Sequence, residues 1–67
     1  MSNSKATRGE RIKAARQRAT LTQEKLAKRA GVTRNTINRV ENELAAPSLR
    51  LLERLARILD VRLAKLV

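Results

Sequence analysis

The residues from Arg34 to Asn42 carry the densest group of side chains able to form specific hydrogen bonds. Arginine offers a planar fork of donors, and the asparagine amide offers a donor beside an acceptor. Such groups match the O6 and N7 acceptors of guanine and the N6 and N7 atoms of adenine, and each good bidentate pair gives roughly 1 to 3 kcal/mol of discrimination. The alternative is a polar helix face that meets only solvent. We predict contacts to DNA bases from four residues: Arg34, Asn35, Asn38 and Arg39.

Other kinds of chemistry have little support in the composition. The sequence contains no cysteine, histidine or aromatic residue, so it lacks the usual zinc ligands, thiol and imidazole nucleophiles and base-stacking side chains. Its six carboxylates show no pairing pattern with a plausible acid, base or metal. We therefore expect no enzymatic activity, no metal and no cofactor. Apolar runs are too short for a signal peptide or a membrane span, which favours a cytoplasmic protein without a membrane partner.

The charge is large and unevenly distributed. Sixteen lysines and arginines against six acids give a formal net charge of +10. Residues 1–39 hold eleven basic and two acidic side chains (+9), whereas residues 40–67 hold five and four (+1). This imbalance indicates a polyanionic partner that meets the first half of the chain. Binding to single-stranded RNA or to a membrane surface by charge alone is disfavoured, because both usually use aromatic side chains.

Capping residues and apolar periodicity predict an all-α domain over residues 7–67, after a flexible arm over residues 1–6 that carries Lys5. A capping box formed by Thr7 and Glu10 starts a first helix over Arg8–Arg18, although Gly9 weakens its first turn. Further helices are predicted from Thr22 to the stop at Gly31, over 34–41 or 34–42, over 49–59 along a wide leucine stripe, and over 62–66. So short a chain buries a modest core, so dimerisation would help its stability.

The second and third predicted helices form a helix-turn-helix, the arrangement that places one helix in the major groove of duplex DNA. Ala27 is small enough for close helix packing, and Gly31 is able to adopt the positive φ of the turn. With Ile37 and Val40 directed inward, a helical wheel leaves the polar residues of the third helix outward. These are Asn35, Asn38, Arg39 and Asn42, with Arg34 in the first turn.

The segment LTQEKLAKRAGVTRNTINRVEN, followed by P-S-L and L-A-R-I-L-D-V, resembles the phage repressor and Cro-like (XRE-type) helix-turn-helix family over residues 12–66. The positions that carry the resemblance are Gln23, Leu26, Ala27, Gly31, Thr33, Ile37 and Glu41. It implies a compact five-helix, lambda repressor-like fold that binds a pseudo-palindromic operator as a homodimer. The half-site centres would lie about one helical turn, or ~34 Å, apart.

The resemblance also implies roles for single residues. Gln23 looks like the family's glutamine that contacts phosphate and supports the recognition helix, and Arg16 and Glu41 occupy positions of a structural ion pair. We expect contacts to the DNA backbone from six residues: Gln23, Lys28, Thr33, Thr36, Asn42 and Arg11. For Arg11 and the other basic residues of the first helix, a role in solubility alone is equally open.

The sequence departs from the family pattern after the third helix. Glu43 stands where glycine is common, Leu44 where a basic residue often meets phosphate, and Asp60 and Arg62 where glycine and a small capping residue are usual. The apolar loop at Leu44 and the apolar C-terminal residues are candidates for contact with a second subunit. The predicted dimer-interface residues are Leu44, Leu63, Leu66 and Val67.

Two functions fit these observations. The first is a transcriptional regulator, specifically a repressor, that binds double-stranded DNA as a homodimer. The second is an antitoxin that binds a toxin through its apolar surfaces and regulates its own operon. Whether the adjacent gene encodes a co-purifying toxin would discriminate between them.

Overall fold

The computed structural model describes residues 6–67, so the predicted arm lies outside the described residues except for Ala6. The elements are α1 (Arg8–Arg18), α2 (Gln23–Ala30), α3 (Arg34–Glu41), α4 (Leu49–Leu59) and a 3-10 turn, Leu63–Lys65. No strand occurs among residues 6–67. The all-α fold class is confirmed.

Each of the four α-helices begins after a hydroxyl residue that accepts a hydrogen bond from a backbone N–H in the first turn. These N-caps are Thr7, Thr22, Thr33 and Ser48. At α1 the full capping box forms, since Glu10 also accepts from the Thr7 backbone N–H at 2.9 Å. A cap of this kind contributes about 1 kcal/mol. The helix starts follow directly from these local bonds.

The predicted fifth helix over residues 62–66 is instead a single 3-10 turn, Leu63–Lys65. Asp60, at φ 57°, ends α4 in the left-handed conformation. The predicted span of residues 62–66 is little more than one helical turn, too few residues to repay the cost of nucleating an α-helix. The turn nevertheless packs Leu66 into the core, where the side chain is fully buried.

The core lies between the four helices and is closed by the C-terminal turn. α3 packs against α2 and α1, and α4 packs against α2 and the turn. Burying a leucine or isoleucine side chain contributes about 1.5 to 3 kcal/mol. The largest fully buried side chains are Ile12, Leu26, Ile37, Leu55 and Leu66.

Gly31 and Gly9 are each glycine for a different structural reason. Gly31 ends α2 at φ 74°, as the sequence predicts, and leaves a turn of three residues before α3. Gly9 is buried where α1 approaches the end of α3, and a Cβ there would collide with the carbonyl oxygens of Val40 and Glu41. Gly9 therefore permits a close helix contact, a role that local helix propensity does not reveal.

Candidate nucleic-acid interface

The outward face of α3 is polar and free of acidic side chains. Ile37 and Val40 are buried, whereas Asn35, Arg39 and Asn42 are exposed. Glu41 is the acidic residue of α3, and it faces inward. This face therefore offers amide and guanidinium groups to a partner without a carboxylate that would repel phosphate.

A buried ion pair links α1 to the C-terminal end of α3. Arg16 donates from Nε to Glu41 Oε2 at 2.7 Å and from Nη2 to Oε1 at 3.2 Å. The two side chains are 10% and 2% exposed. A third donor of Arg16, Nη1, bonds the carbonyl of Leu21 at 2.9 Å. The structure thus brings together the two residues predicted to pair, and the fork geometry orients α3 against α1.

Gln23 extends this network from the start of α2. Its Nε2 donates to Glu41 Oε1 at 3.0 Å, and its Oε1 accepts from Asn38 Nδ2 at 3.4 Å. Gln23 and Asn38 are both half-buried. The sequence predicted Gln23 as a phosphate contact and a support for α3, and its observed bonds are those of a support.

Arg34 lies on the same flank of α3 as Asn38, because the two residues are four apart on one helix. Arg34 is exposed and lines a cleft of about 400 Å³ at the start of α2, together with Arg16, Thr22, Gln23 and Glu24. The Arg34 guanidinium and the N-terminus of α2 bring positive charge to this cleft, Glu24 brings a carboxylate, and Arg16 is already paired with Glu41.

The C-terminal end of α3 is held by bonds that the sequence did not reveal. Arg39 Nη2 donates to the carbonyl of Leu44 at 3.1 Å, and Asn42 Nδ2 donates to the carbonyl of Asn38 at 2.8 Å. Glu43 adopts φ 61°, and its Oε2 accepts from the backbone N–H of Gly9. Glu43 is thus left-handed, the conformation that glycine adopts most readily, and its side chain accepts a hydrogen bond from the first turn of α1.

The other residues predicted to contact the DNA backbone lie on different helices. Thr33 is the N-cap of α3 and Thr36 lies in its first turn, and their hydroxyl groups bond each other at 2.9 Å. Lys28 is exposed on α2. Arg11 donates to the carbonyl of Val67, so it lies beside the C-terminal turn and not beside α3.

The predicted dimer residues differ in how much surface they retain. Leu44 is 62% exposed and Val67 is 49% exposed, while Leu63 is half-buried. Leu66 is fully buried in its own chain and offers a partner no side-chain surface. Sequence reasoning missed Leu49, which is 61% exposed at the start of α4.

Residues 6–67 hold neither a metal-binding cluster nor a membrane-spanning helix. No three acidic, histidine or cysteine side chains there lie close enough together to hold a metal ion. No helix in this part of the chain has both the length and the apolarity needed to cross a membrane.

The geometry of α2 and α3 agrees with comparisons to known proteins. The family model described as helix-turn-helix matches residues 12–66. The chain belongs to this helix-turn-helix family, of the XRE, Cro/repressor-like type. A curated relative, an uncharacterized HTH-type transcriptional regulator of Archaeoglobus fulgidus, is 43% identical over 53 residues, which cover 79% of this chain and 75% of the relative.

Solved structures of similar proteins share the fold. The restriction-modification controller protein C.AhdI from Aeromonas hydrophila is 32% identical, with a TM-score of 0.85 over 90% of this chain and 87% of its own. SinR, a master regulator for biofilm formation solved in complex with DNA, is 33% identical, with a TM-score of 0.84 over 90% of this chain and 97% of its own. The family and these neighbours mark this helix-turn-helix protein as a transcriptional regulator.

Proposed function

We propose that this regulator recognises a specific sequence in double-stranded DNA by inserting α3 into the major groove. The observation that carries the proposal is the outward face of α3, where Asn35 and Arg39 are exposed while Glu41 is buried and paired. Arginine and asparagine suit the acceptors and donors at purine edges.

Rigid support for α3 strengthens this proposal. Base readout requires side chains to be held in register with the groove, so a helix that shifts loses discrimination. The ion pair of Arg16 and Glu41 holds one end of α3, and the N-cap Thr33 holds the other. Backbone phosphates would be met by Arg34 and Gln23, which line the cleft at the start of α2, and by the hydroxyl groups of Thr33 and Thr36.

Repression would follow from a homodimer bound to a pseudo-palindromic operator, with two α3 helices in successive major grooves. The exposed side chains of Leu44 and Val67 supply apolar surface for such an interface. The bound dimer would then block access of other proteins to the operator. Sedimentation across a range of protein concentrations should show a dimer. Val67→Asp should shift the equilibrium toward monomer while far-ultraviolet circular dichroism still shows a folded helical chain. A wild-type protein that stays monomeric on its operator would contradict the dimer.

The central experiment is selection of bound duplexes from a random pool. It should return a symmetric pair of half-sites, bound at least ~10³-fold more tightly than random duplex, with both affinities falling steeply as salt increases. Arg39→Ala should relax the preference at one base position per half-site. Arg57→Ala, which removes an exposed arginine from α4, is the matched control and should leave every preference unchanged. Equal affinity for all sequences would refute specific recognition.

An antitoxin role is the second candidate, favoured by the exposure of Leu44 and Leu49 beside the loop that follows α3. A structural neighbour, the SinR/SinI complex, was solved with a protein partner; it is 33% identical, with a TM-score of 0.82 over 88% of this chain and 58% of its own. Co-expression with the product of the adjacent gene is the test. A stable complex that Leu44→Ser weakens would support this role, and the absence of a complex with a toxin-like neighbour would refute it.

A further inference from the structure

The buried network that supports α3 also has a fixed hydrogen-bond polarity. Glu41 is paired with Arg16, and a carboxylate in such a pair only accepts hydrogen bonds. The Gln23 atom that faces it must therefore be the donor, Nε2, in agreement with the observed 3.0 Å bond. The amide of Gln23 cannot rotate by half a turn without placing its own acceptor against the carboxylate.

This polarity passes from Gln23 to Asn38. Because Nε2 faces Glu41, Gln23 directs its acceptor Oε1 toward Asn38, which donates to it from Nδ2 at 3.4 Å. Rotating the Asn38 amide would bring two acceptor oxygens together, which is unfavourable. Asn38 is therefore held with Nδ2 inward, toward α2.

The acceptor of Asn38 is left available. Within residues 6–67 no group donates to Asn38 Oδ1, and no buried side-chain nitrogen or oxygen of this part of the chain lacks a partner. Because Oδ1 has no partner although every buried side-chain oxygen among these residues has one, Oδ1 is accessible to solvent. It lies on the flank of α3 between Arg34 and Asn42, one helical turn from each.

We propose that Asn38 Oδ1 reads an exocyclic amino group, so the base opposite Asn38 is adenine or cytosine. In the major groove these bases present donors at N6 and N4, whereas guanine O6 and thymine O4 are acceptors that would face another acceptor. Gln23 and Glu41 act as positioning residues that set this preference without touching a base. The inference rests on the proposed insertion of α3 into the major groove.

The test uses the duplex recovered by selection and the intact protein. At each half-site position, adenine is replaced by purine and cytosine by 2-pyrimidinone, which lack the exocyclic amino group. One position should lose about tenfold in wild-type affinity, the size expected for one hydrogen bond whose partner is left unpaired. The same replacement should cost Asn38→Ala less than twofold, while other positions respond as in the wild type.

A second variant separates positioning from folding. Gln23→Ala frees the Asn38 amide to rotate, so guanine or thymine at this position should become tolerated, with discrimination falling from about tenfold to about twofold. A merely structural loss would weaken all sequences alike. Should Gln23→Ala fail to fold by circular dichroism, the base analogues with wild-type protein decide the question.

Three results would overturn the inference. They are a guanine or thymine preference at the Asn38-dependent position, indifference to removal of every amino group, and an unchanged preference in folded Gln23→Ala. In each case sequence-specific binding would persist, and the proposed function would stand. Absence of any preferred sequence would overturn both.

Discussion

Replacing Gly9 with alanine sets local helix propensity against tertiary packing. Gly9 lies in the first turn of α1 and is buried against the end of α3. The added Cβ would overlap the carbonyl oxygens of Val40 and Glu41 and the carboxylate of Glu43. Two of these three atoms are backbone, so they cannot move aside unless α1 shifts away from α3.

The expected magnitude follows from the competing contributions. Alanine is favoured over glycine within a helix by up to about 1 kcal/mol. Overpacking a well-packed site costs typically 1 to 3 kcal/mol, and the displaced hydrogen bond from Gly9 N–H to Glu43 adds about 1 kcal/mol. We therefore expect Gly9→Ala to lower the free energy of unfolding by roughly 2 kcal/mol. For a domain of this size, that corresponds to a fall in melting temperature of about 8 to 16 °C.

Thermal and urea denaturation followed by far-ultraviolet circular dichroism measure this difference. Ala14→Gly is the matched control, because Ala14 is exposed on the same helix and reports propensity alone. It should cost about 1 kcal/mol. If Gly9→Ala were as stable as the wild type or more stable while the control behaved as expected, the close contact between α1 and α3 would be refuted.

Three further changes test other parts of the structure by the same denaturation measurements. Glu41→Ala leaves buried Arg16 unpaired and should cost about 3 kcal/mol; an unchanged melting curve would contradict the buried pair. Thr20 adopts φ 57°, which a β-branched residue tolerates poorly. Thr20→Asn should therefore raise the free energy of unfolding by roughly 1 kcal/mol. A lower melting temperature would contradict backbone strain at this position. Thr22→Ala removes the acceptor for Lys25 N–H and should cost about 1 kcal/mol; no loss would show that this cap is dispensable.

The starts and ends of the helices could be predicted because they depend on residues close in sequence. A threonine or serine that accepts from an N–H three residues later needs no distant partner, and Gly31 ends α2 by its own backbone freedom. Apolar residues three and four apart likewise determined which face of α3 is inward. Once the inward residues were assigned, the remaining polar residues of α3 were predicted to face outward.

The details of the candidate site depended on residues far apart in sequence. Asn38 looks outward on a helical wheel, yet it is half-buried because Gln23, fifteen positions earlier, reaches it. Arg39 bonds a loop carbonyl whose position depends on the left-handed Glu43. Hydrogen bonds between elements depend on how those elements pack, which periodicity does not specify.

The sequence by itself determined the class of the protein: an all-α, basic, helix-turn-helix chain whose second and third helices are delimited by their own caps. Only the tertiary structure decided why Gly9 is glycine, which way the amides of Gln23 and Asn38 point, and that the chain after Asp60 forms one 3-10 turn. The physical reason is the sequence separation over which each kind of interaction acts. Caps and apolar periodicity act within a few residues, whereas close packing and buried hydrogen bonds join atoms whose separation is set by the whole fold.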